Sequence, residues 1–231
     1  MKNIKILFLG LLAYEKALKI QEKLLQLRQQ DMIDDILLLV EHPPVLTIGR
    51  SGKKANILVV PKEVNIHEVN RGGDVTYHGP GQIVGYPIMD LTGHGKDIHD
   101  FLRKIEETFI CLLREEYGIG AGRIKKHTGV WVNEEKITAV GVTVKRWVTM
   151  HGFAFNVNTR LEDFTWIIPC GIKDKGVTSL RKILGRSLDM DCVGRQVVKY
   201  FCQIFALQPE QITQVDLGEI LSTAGIKKQA E

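Results

Sequence analysis

The chain is poor in the features that would mark a secreted, membrane-spanning or zinc-binding protein. It has only four cysteines among 231 residues, and no two of them have the Cys-x-x-Cys spacing of zinc and dithiol sites. No apolar stretch approaches the roughly 20 residues that a membrane-spanning helix needs. The N-terminal segment has a short apolar run without a small-residue cleavage site, which favours a strand over a signal peptide. We therefore expect reduced thiols, a cytoplasmic location, no metal site and no membrane contact.

A large excess of one charge is also missing. The 31 basic and 27 acidic side chains leave a formal charge of +4, which is too small for a dedicated nucleic-acid-binding protein. Short basic clusters, such as 125–127, would suit an acidic protein partner through long-range attraction. A hydrophobic content of 44% and a length of 231 residues favour one globular domain over two. We expect that domain to span 1–231, with a core over about 10–210 and a less constrained C-terminal tail.

The periodicity of the apolar residues predicts both helices and strands. Helical spacing predicts helices over 13–27, 98–112 and 190–204, with Asp97 as the N-cap of the second and Gly118 as its end. Strands are predicted at the N-terminus and over 36–40, 45–49, 65–69, 82–90, 129–132, 136–144 and 151–157. Residues 133–135 predict a hairpin between two of them. Runs of strands with helices inserted as blocks indicate an α+β fold with a mixed or antiparallel sheet.

The most informative segment is 71–82, whose sequence is RGGDVTYHGPGQ. Glycine permits close backbone approach and proline fixes its own backbone angle, so this segment has a specified shape. An arginine and a histidine in such a loop indicate the wall of a ligand-binding site. A hairpin turn with incidental polar residues is the alternative, because Gly-Pro-Gly marks turns in many proteins.

One cysteine differs from the other three. Cys111, Cys192 and Cys202 lie in helical apolar patterns and are expected to be small buried hydrophobic residues. Cys170 lies between a proline and a glycine, which suits an exposed nucleophile on a turn.

The strand predicted over 136–144 begins with a lysine. On its residue type alone, Lys136 is an ordinary surface lysine at the start of a strand. The alternation of a strand predicts Lys136 and Val140 on one face, and Ile137 and Ala139 on the other.

These segments together resemble the signature of the lipoyl(octanoyl) transferases. Every fixed position of the pattern Arg-Gly-Gly-x-x-Thr-x-His-x-Pro-Gly-Gln is present at 71–82. KITAVGV at 136–142 matches as well, as does PCGI at 169–172 followed by VTSL at 177–180. The resemblance implies a catalytic domain similar to that of the biotin and lipoate protein ligases, which is related to class II aminoacyl-tRNA synthetases.

The resemblance also implies roles for individual residues. Cys170 and Lys136 are expected to be a catalytic pair, in which the ammonium group favours the thiolate. His78 is expected to orient the substrate or assist proton transfer, and it is also the rival base for Cys170. The implied substrate-binding residues are Arg71, Gly72, Gly73, Asp74, Val75, Thr76, Tyr77, His78, Ala139, Val140, Gly141, Gly152, Phe153 and Ala154. Among them, Val140 and Phe153 are expected to wall a medium-length acyl chain.

The activity implied by the resemblance is octanoyl transfer in lipoate biosynthesis. The donor would be octanoyl–acyl carrier protein, and the acceptor a lysine of the lipoyl domains of 2-oxoacid dehydrogenase complexes or of the glycine cleavage H protein. The octanoyl group would pass through a thioester on Cys170, with no cofactor, because the incoming thioester is already activated. Three alternatives remain open: an ATP-dependent lipoate–protein ligase, a cysteine hydrolase using Cys170 and His78, and a non-catalytic acyl-carrier-binding module.

Overall fold

The computed structural model describes residues 2–172 and 174–226. In chain order its strands are β1 (Lys2–Leu11), β2 (Ile36–Glu41), β3 (Val45–Ile48), β4 (Asn65–Glu68), β5 (Val75–His78), β6 (Gln82–Ile88), β7 (Gly122–Ile124), β8 (His127–Val132), β9 (Glu135–Lys145), β10 (Val148–Asn156), β11 (Gly176–Val177) and β12 (Leu207–Gln211). Its α-helices are α1 (Tyr14–Gln29), α2 (Ile98–Tyr117), α3 (Leu180–Leu184), α4 (Met190–Phe205) and α5 (Gln214–Ile226).

A mixed sheet of nine strands forms the centre of the molecule. Its order is β12-β1-β2-β6-β10-β9-β8-β7, and β11 pairs with the first residues of β9. β1 is parallel to both β12 and β2. The later neighbours in this spatial order, from β2–β6 through to β8–β7, are all antiparallel. The predicted α+β class with a mixed sheet is confirmed.

Helices cover both faces of this sheet. On one face, α2 and α4 bury apolar stripes that include Phe109 and Phe201 against Phe153 and Phe155 of β10. On the other face, α1 and α5 pack against residues of β2 and β6. Burying each such side chain contributes roughly 1.5–3 kcal/mol, so the two layers fix the sheet between them.

The three helices expected from periodicity are confirmed. The Asp97 carboxylate caps α2 by accepting hydrogen bonds from the backbone N–H groups of His99 (2.7 Å) and Asp100 (3.1 Å). Gly118 ends α2 with a left-handed φ of 63°. The strand β5 was not predicted from the sequence, because it lies inside the segment 71–82, which was expected to form a loop.

A second, smaller sheet has the order β4-β3-β5. Val75 and Tyr77 of β5 pack with Leu46, Phe164 and Ile167 into a separate apolar cluster. The other face of β5 carries Thr76 and His78 and borders a cleft against the main sheet. The small sheet therefore supplies one wall of the candidate site.

A bulge near the start of β9 changes which side chains share a face. Val130 of β8 lies opposite Thr138, but the next residue, Trp131, lies opposite Lys136, so β9 has one extra residue there. Ile137 consequently packs on the α2 side, whereas Ala139 packs on the α1 side. The prediction that these two residues share a face is wrong, because a bulge shifts the alternation of a strand.

Candidate active site

The cleft lies between the central strands β6, β9 and β10 and the small sheet. It is lined by Tyr14, Arg71, Gly72, Gly73, Asp74, Thr76, His78, Val84, Tyr86, Ala139, Val140, Gly141, His151, Gly152, Phe153, Ala154 and Cys170. The fold thus brings three segments that are distant in sequence to one surface: 71–78, 139–141 and the turn at Cys170.

Cys170 is held on a strained turn beside Lys136. Its backbone is left-handed, with φ 56° and ψ 16°, within the short 3-10 helix Pro169–Gly171. A residue other than glycine in this conformation costs roughly 1–3 kcal/mol, and such strain concentrates at functional sites. The Lys136 ammonium lies 3.4 Å from the Cys170 sulfur.

Lys136 is fixed by more than its contact with the cysteine. Its Nζ donates to the Thr128 carbonyl at 3.1 Å and lies 4.8 Å from the centre of the Trp131 ring. The side chain is only 7% exposed, so the ammonium group is surrounded by acceptors instead of bulk water. These contacts hold the Lys136 Nζ in a fixed place beside the Cys170 sulfur.

Arg71 brings a second buried cation to the cleft. Its guanidinium donates to the Thr47 hydroxyl from Nε (3.1 Å) and to the Thr47 carbonyl from Nη2 (2.8 Å). Among the described residues, no carboxylate lies within 4.0 Å of this group. Burial lowers the pKa of Arg71, and nearby negative charge, first of all on Cys170, opposes that shift.

The segment 70–73 lies directly against β9. The Gly72 N–H donates to the Val142 carbonyl at 3.0 Å, and the Thr143 hydroxyl donates to the Asn70 carbonyl. A Cβ on Gly141 would come within 2.9 Å of the Gly72 carbonyl oxygen, so only glycine permits this approach. The two backbones together form one wall of the cleft.

Asp74 holds the end of this segment in place. Its carboxylate accepts hydrogen bonds from the Val75 N–H (2.7 Å), the Lys53 N–H (3.1 Å) and the Asn56 amide (2.7 Å). With these partners the carboxylate shapes the loop. It also lies beside the turn that carries Cys170, because a Cβ added to Gly171 would come within 2.8 Å of Asp74 Oδ2.

His78 is buried and neutral. Its Nδ1–H donates to the Gln82 side-chain carbonyl at 2.7 Å, and the Gln82 amide donates to Asn156 at 2.9 Å. Burial, followed by the neighbouring His42, lowers the pKa of His78 to about 3. A histidine with so low a pKa is a weak proton acceptor at neutral pH.

Two more buried histidines adjoin the cleft, and both are neutral. His42 donates from Nδ1 to the Leu12 carbonyl (2.6 Å) and accepts from the Tyr86 hydroxyl at Nε2 (2.7 Å). Burial lowers the pKa of His42 to about 4, and burial, followed by Arg71, lowers that of His151 to about 4. Desolvation also raises the pKa of Tyr14, whose ring stacks on that of His78, to about 12.

Four of the implied substrate-binding side chains point away from the cleft. Val75 and Tyr77 belong to the core of the small sheet, where the Tyr77 hydroxyl donates to Asp163 at 2.7 Å. Phe153 packs its ring 4.8 Å from that of Phe109, on the opposite face of the main sheet, and Val140 packs on the same side. The expectation that Val140 and Phe153 wall an acyl chain with their side chains is wrong, because both side chains pack into the apolar layer on the α2 side.

Sequence reasoning missed four residues that line the cleft: Tyr14, Val84, Tyr86 and His151. The alternation of β6 offered a signal for Val84 and Tyr86, which share a face two residues apart. His151 has a left-handed φ of 60° within β10, which no pattern in the sequence indicates. Tyr14 begins a helix and carried no signal of its own.

The remaining cysteines differ in exposure. Cys202 is buried and Cys111 is half-buried, but Cys192 is exposed, so the expectation of a buried Cys192 is wrong. The reason is its position in the first turn of α4, where Asp189 caps the Cys192 N–H at 2.8 Å. Within residues 2–172 and 174–226, no cluster of His, Cys, Asp and Glu could hold a metal ion. Over the same described part of the chain, no helix has the length and apolar content to span a membrane.

Solved structures with the same fold define the class of this domain. Lipoate-protein ligase A bound with ATP superposes with a TM-score of 0.75 at 17% identity, covering 97% of this chain and 94% of that one. A putative lipoate protein ligase from T. acidophilum gives 0.74 at 16% identity, covering 99% and 95%. Biotin protein ligase from Aquifex aeolicus gives 0.52 at 16% identity, covering 89% and 70%. The fold is that of the lipoate and biotin protein ligase catalytic domains.

The sequence comparisons are more specific. The chain is 59% identical over 218 residues to a protein from Desulforamulus reducens named octanoyltransferase, covering 92% of this chain and 96% of that protein. It is 55% identical over 225 residues to an octanoyltransferase from Caldicellulosiruptor saccharolyticus, covering 95% and 96%. The family model described as lipoyl protein ligase A/B catalytic domain matches residues 13–202. The chain belongs to this family, and the resemblance inferred from the motifs is confirmed.

Proposed function

We propose that this protein is an octanoyltransferase that works through a thioester on Cys170. It takes the octanoyl group from octanoyl–acyl carrier protein and passes it to a lysine of a lipoyl domain, including that of the glycine cleavage H protein. The names of the relatives at 59% and 55% identity support the reaction. The observation that carries the covalent mechanism is the 3.4 Å contact between the Cys170 sulfur and the Lys136 ammonium at the cleft.

In the first half-reaction, the Cys170 thiolate attacks the carbonyl carbon of the donor thioester. The tetrahedral intermediate expels the pantetheine sulfur, which takes a proton from the Lys136 ammonium and leaves as a thiol. The products are octanoyl-Cys170 and a neutral Lys136 amine. A lysine within 3.4 Å of the nucleophile can reach the leaving sulfur, because both sulfur atoms bond to the same carbon in the intermediate.

In the second half-reaction, the amine of the acceptor lysine attacks the octanoyl carbonyl. Neutral Lys136 takes the proton that the attacking nitrogen loses, and the Cys170 thiolate is expelled as the amide forms. The ammonium–thiolate pair is then restored. No nucleotide takes part, since the energy of the donor thioester is retained in octanoyl-Cys170.

The cleft is suited to an unbranched apolar chain. Val84, Ala139 and Ala154 border it from the main sheet and contribute to the apolar layer on the α1 side. Burying an eight-carbon chain there contributes several kcal/mol, at about 0.8 kcal/mol for each methylene. Gly141 and Gly152 let the chain lie against backbone.

His78 is assigned an orienting role at this site. Its Nδ1–H is engaged by Gln82, so its free ring nitrogen can accept a hydrogen bond within the cleft. We place the reaction in the cytoplasm, where thiols such as Cys170 stay reduced.

The test is intact-mass spectrometry in a nucleotide-free buffer. After mixing with octanoyl–acyl carrier protein, the enzyme should gain the mass of one octanoyl group on Cys170, and a lipoyl domain should then remove it. A requirement for ATP and free octanoate would instead indicate a ligase. Discharge by water alone would indicate a hydrolase, and binding without an adduct would indicate a carrier-binding module.

A further inference from the structure

One peptide bond connects Lys136 to a buried carboxylate on α2. The carbonyl of Thr128 accepts the hydrogen bond from Lys136 Nζ at 3.1 Å. The N–H of the same peptide unit, which belongs to Gly129, donates to Glu106 Oε1 at 2.9 Å. The two ends of this peptide unit are therefore fixed by Lys136 on one side and Glu106 on the other.

Glu106 is itself held firmly. It is 4% exposed, and its second oxygen accepts hydrogen bonds from Arg123 Nε (2.8 Å) and Arg103 Nη1 (3.2 Å). Arg123 also donates to Glu107 at 2.7 Å and to the Arg103 carbonyl at 2.9 Å. A carboxylate with these partners has little freedom to rotate, so the direction in which it accepts from Gly129 is fixed.

Gly129 allows the close packing that this arrangement requires. Its φ is 126°, a conformation that side chains disfavour, and an added Cβ would come within 3.4 Å of Lys136 Cδ and Cε. The stem of Lys136 thus lies directly over the peptide unit that Glu106 fixes. A rotation of that peptide unit would move both the carbonyl acceptor and the packing surface of Lys136.

We propose that Glu106 is a positioning residue for Lys136, acting through the Thr128–Gly129 peptide unit. This inference rests on the proposed function, in which Lys136 serves Cys170. By accepting from the Gly129 N–H, Glu106 aims the Thr128 carbonyl at the ammonium group. Hydrogen bonding at the N–H also polarises the peptide group and makes its carbonyl a better acceptor. The ammonium group is thereby kept within reach of the Cys170 sulfur.

A matched pair of variants separates this role from the charge of Glu106. Both Glu106→Gln and Glu106→Met remove the negative charge and the ion pairs with Arg103 and Arg123. Only Gln retains an oxygen that can accept from the Gly129 N–H. A difference between the two variants therefore reports the hydrogen bond to the peptide unit.

The readout is the rate at which iodoacetamide alkylates Cys170, measured against pH by mass spectrometry of the peptide that contains it. This readout follows the thiolate and is insensitive to a general loss of stability in a protein that remains folded. We expect the midpoint for Glu106→Met to rise by about 0.5–1 pH unit, because a misplaced ammonium favours the thiolate less. The Glu106→Gln profile should stay close to that of the wild type, and kcat should fall about tenfold for Met but not for Gln.

Three results would overturn the proposal. Coincident profiles for Glu106→Met and the wild type would show that the peptide unit does not position Lys136. Equal shifts for Met and Gln would show that charge, and not the acceptor, is what matters. If the alkylation midpoint does not shift in Lys136→Met, Lys136 is not paired with Cys170, and the proposed mechanism fails as well. If the midpoint shifts in Lys136→Met but not in Glu106→Met, only the role of Glu106 is removed. Should Glu106→Met fail to fold, Glu106→Ala gives the same comparison with Gln.

Discussion

Two buried basic side chains belong to the candidate site, and the groups that surround them differ. His78 is 6% exposed and Lys136 is 7% exposed, so depth alone does not distinguish them. Burial lowers the pKa of His78 to about 3, and the neighbouring His42 and Arg71 add to this shift because they oppose a positive charge. Lys136 has a carbonyl, a thiol and the face of an indole ring around its ammonium group. At similar depth, His78 therefore lies beside groups that disfavour a positive charge, whereas Lys136 contacts groups that attract a cation.

This difference bears on how the cysteine is activated. Cysteine–histidine pairs are common in acyl transfer, which made His78 the natural rival to Lys136. A neutral histidine with a pKa of about 3 gives a thiol little help, so the proposed mechanism gives this role to the Lys136 ammonium, whose Nζ lies 3.4 Å from the Cys170 sulfur. In the proposed mechanism, the lysine also supplies the proton that the leaving sulfur needs.

The largest effect is expected from removing the sulfur. Cys170→Ala should lower transfer by at least about a thousandfold, because the covalent route is lost while the fold remains. Octanoyl transfer to a lipoyl domain, followed by mass spectrometry, measures the loss. Cys192→Ala is the matched control, since this exposed cysteine should be replaceable with no loss of activity. Transfer by Cys170→Ala at a rate near that of the wild type would rule out the acyl-enzyme.

Removing the cation should have the next largest effect. Lys136→Met keeps the length of the side chain without its charge, and we expect both half-reactions to slow by about a hundredfold. Single-turnover measurements resolve formation of the octanoyl-enzyme from its discharge. Slowing of only one of the two steps would contradict the assignment of Lys136 to both proton transfers.

The neutral histidines should make the protein sensitive to mild acid. In the folded protein the pKa values of His42, His78 and His151 are about 4, 3 and 4, below the ordinary value of 6.5. Between pH 6.5 and these folded values, the unfolded chain therefore binds more protons than the folded one. Their stabilising contribution is complete above about pH 6.5 and is lost as the pH falls towards 4.

Denaturant unfolding at pH 7 and pH 5 measures this loss, which we expect to be about 1–2 kcal/mol for each histidine. This pH range differs from the one in which Asp35 acts. Burial opposes the shift, but hydrogen bonds from His94 and Arg28 lower the pKa of Asp35, so its contribution to stability is lost only below about pH 4. Equal stability at pH 7 and pH 5 would mean that these histidines are not held neutral by the fold.

The smallest effect should come from a signature residue outside the cleft. Tyr77→Phe removes the hydrogen bond to Asp163 and should lower the free energy of unfolding by about 1–2 kcal/mol. Because Tyr77 faces the core of the small sheet, kcat and KM should stay near their wild-type values. A large rise in KM without a loss of stability would place Tyr77 at the substrate after all.

The sequence predicted the repeating parts of the fold better than the local departures from them. The stripe on α2 and its Asp97 cap followed from spacing and capping chemistry, and the structure confirms both. The bulge in β9 did not follow, since one extra residue is set by pairing with β8 and leaves no pattern in the sequence. Alternation without that bulge assigned Ile137 and Ala139 to the same face.

The candidate site shows the same division. Residues of the motif segments could be named, but which of them face the cleft depends on the two sheets meeting, which is tertiary information. Val75 and Tyr77 alternate with Thr76 and His78 along β5, so one strand of the signature serves both the core and the cleft. Glu106 lies within the apolar pattern of α2 and only its contact with Gly129 indicates a connection to Lys136.

The most direct test of the account is the alkylation of Cys170 by iodoacetamide as a function of pH in three proteins: the wild type, Lys136→Met and His78→Asn. We expect the Lys136→Met profile to move to higher pH, since the thiolate loses its cation, and the His78→Asn profile to coincide with that of the wild type. Coincident profiles for the wild type and Lys136→Met, with a shift in His78→Asn, would contradict it and assign the activation of Cys170 to the histidine.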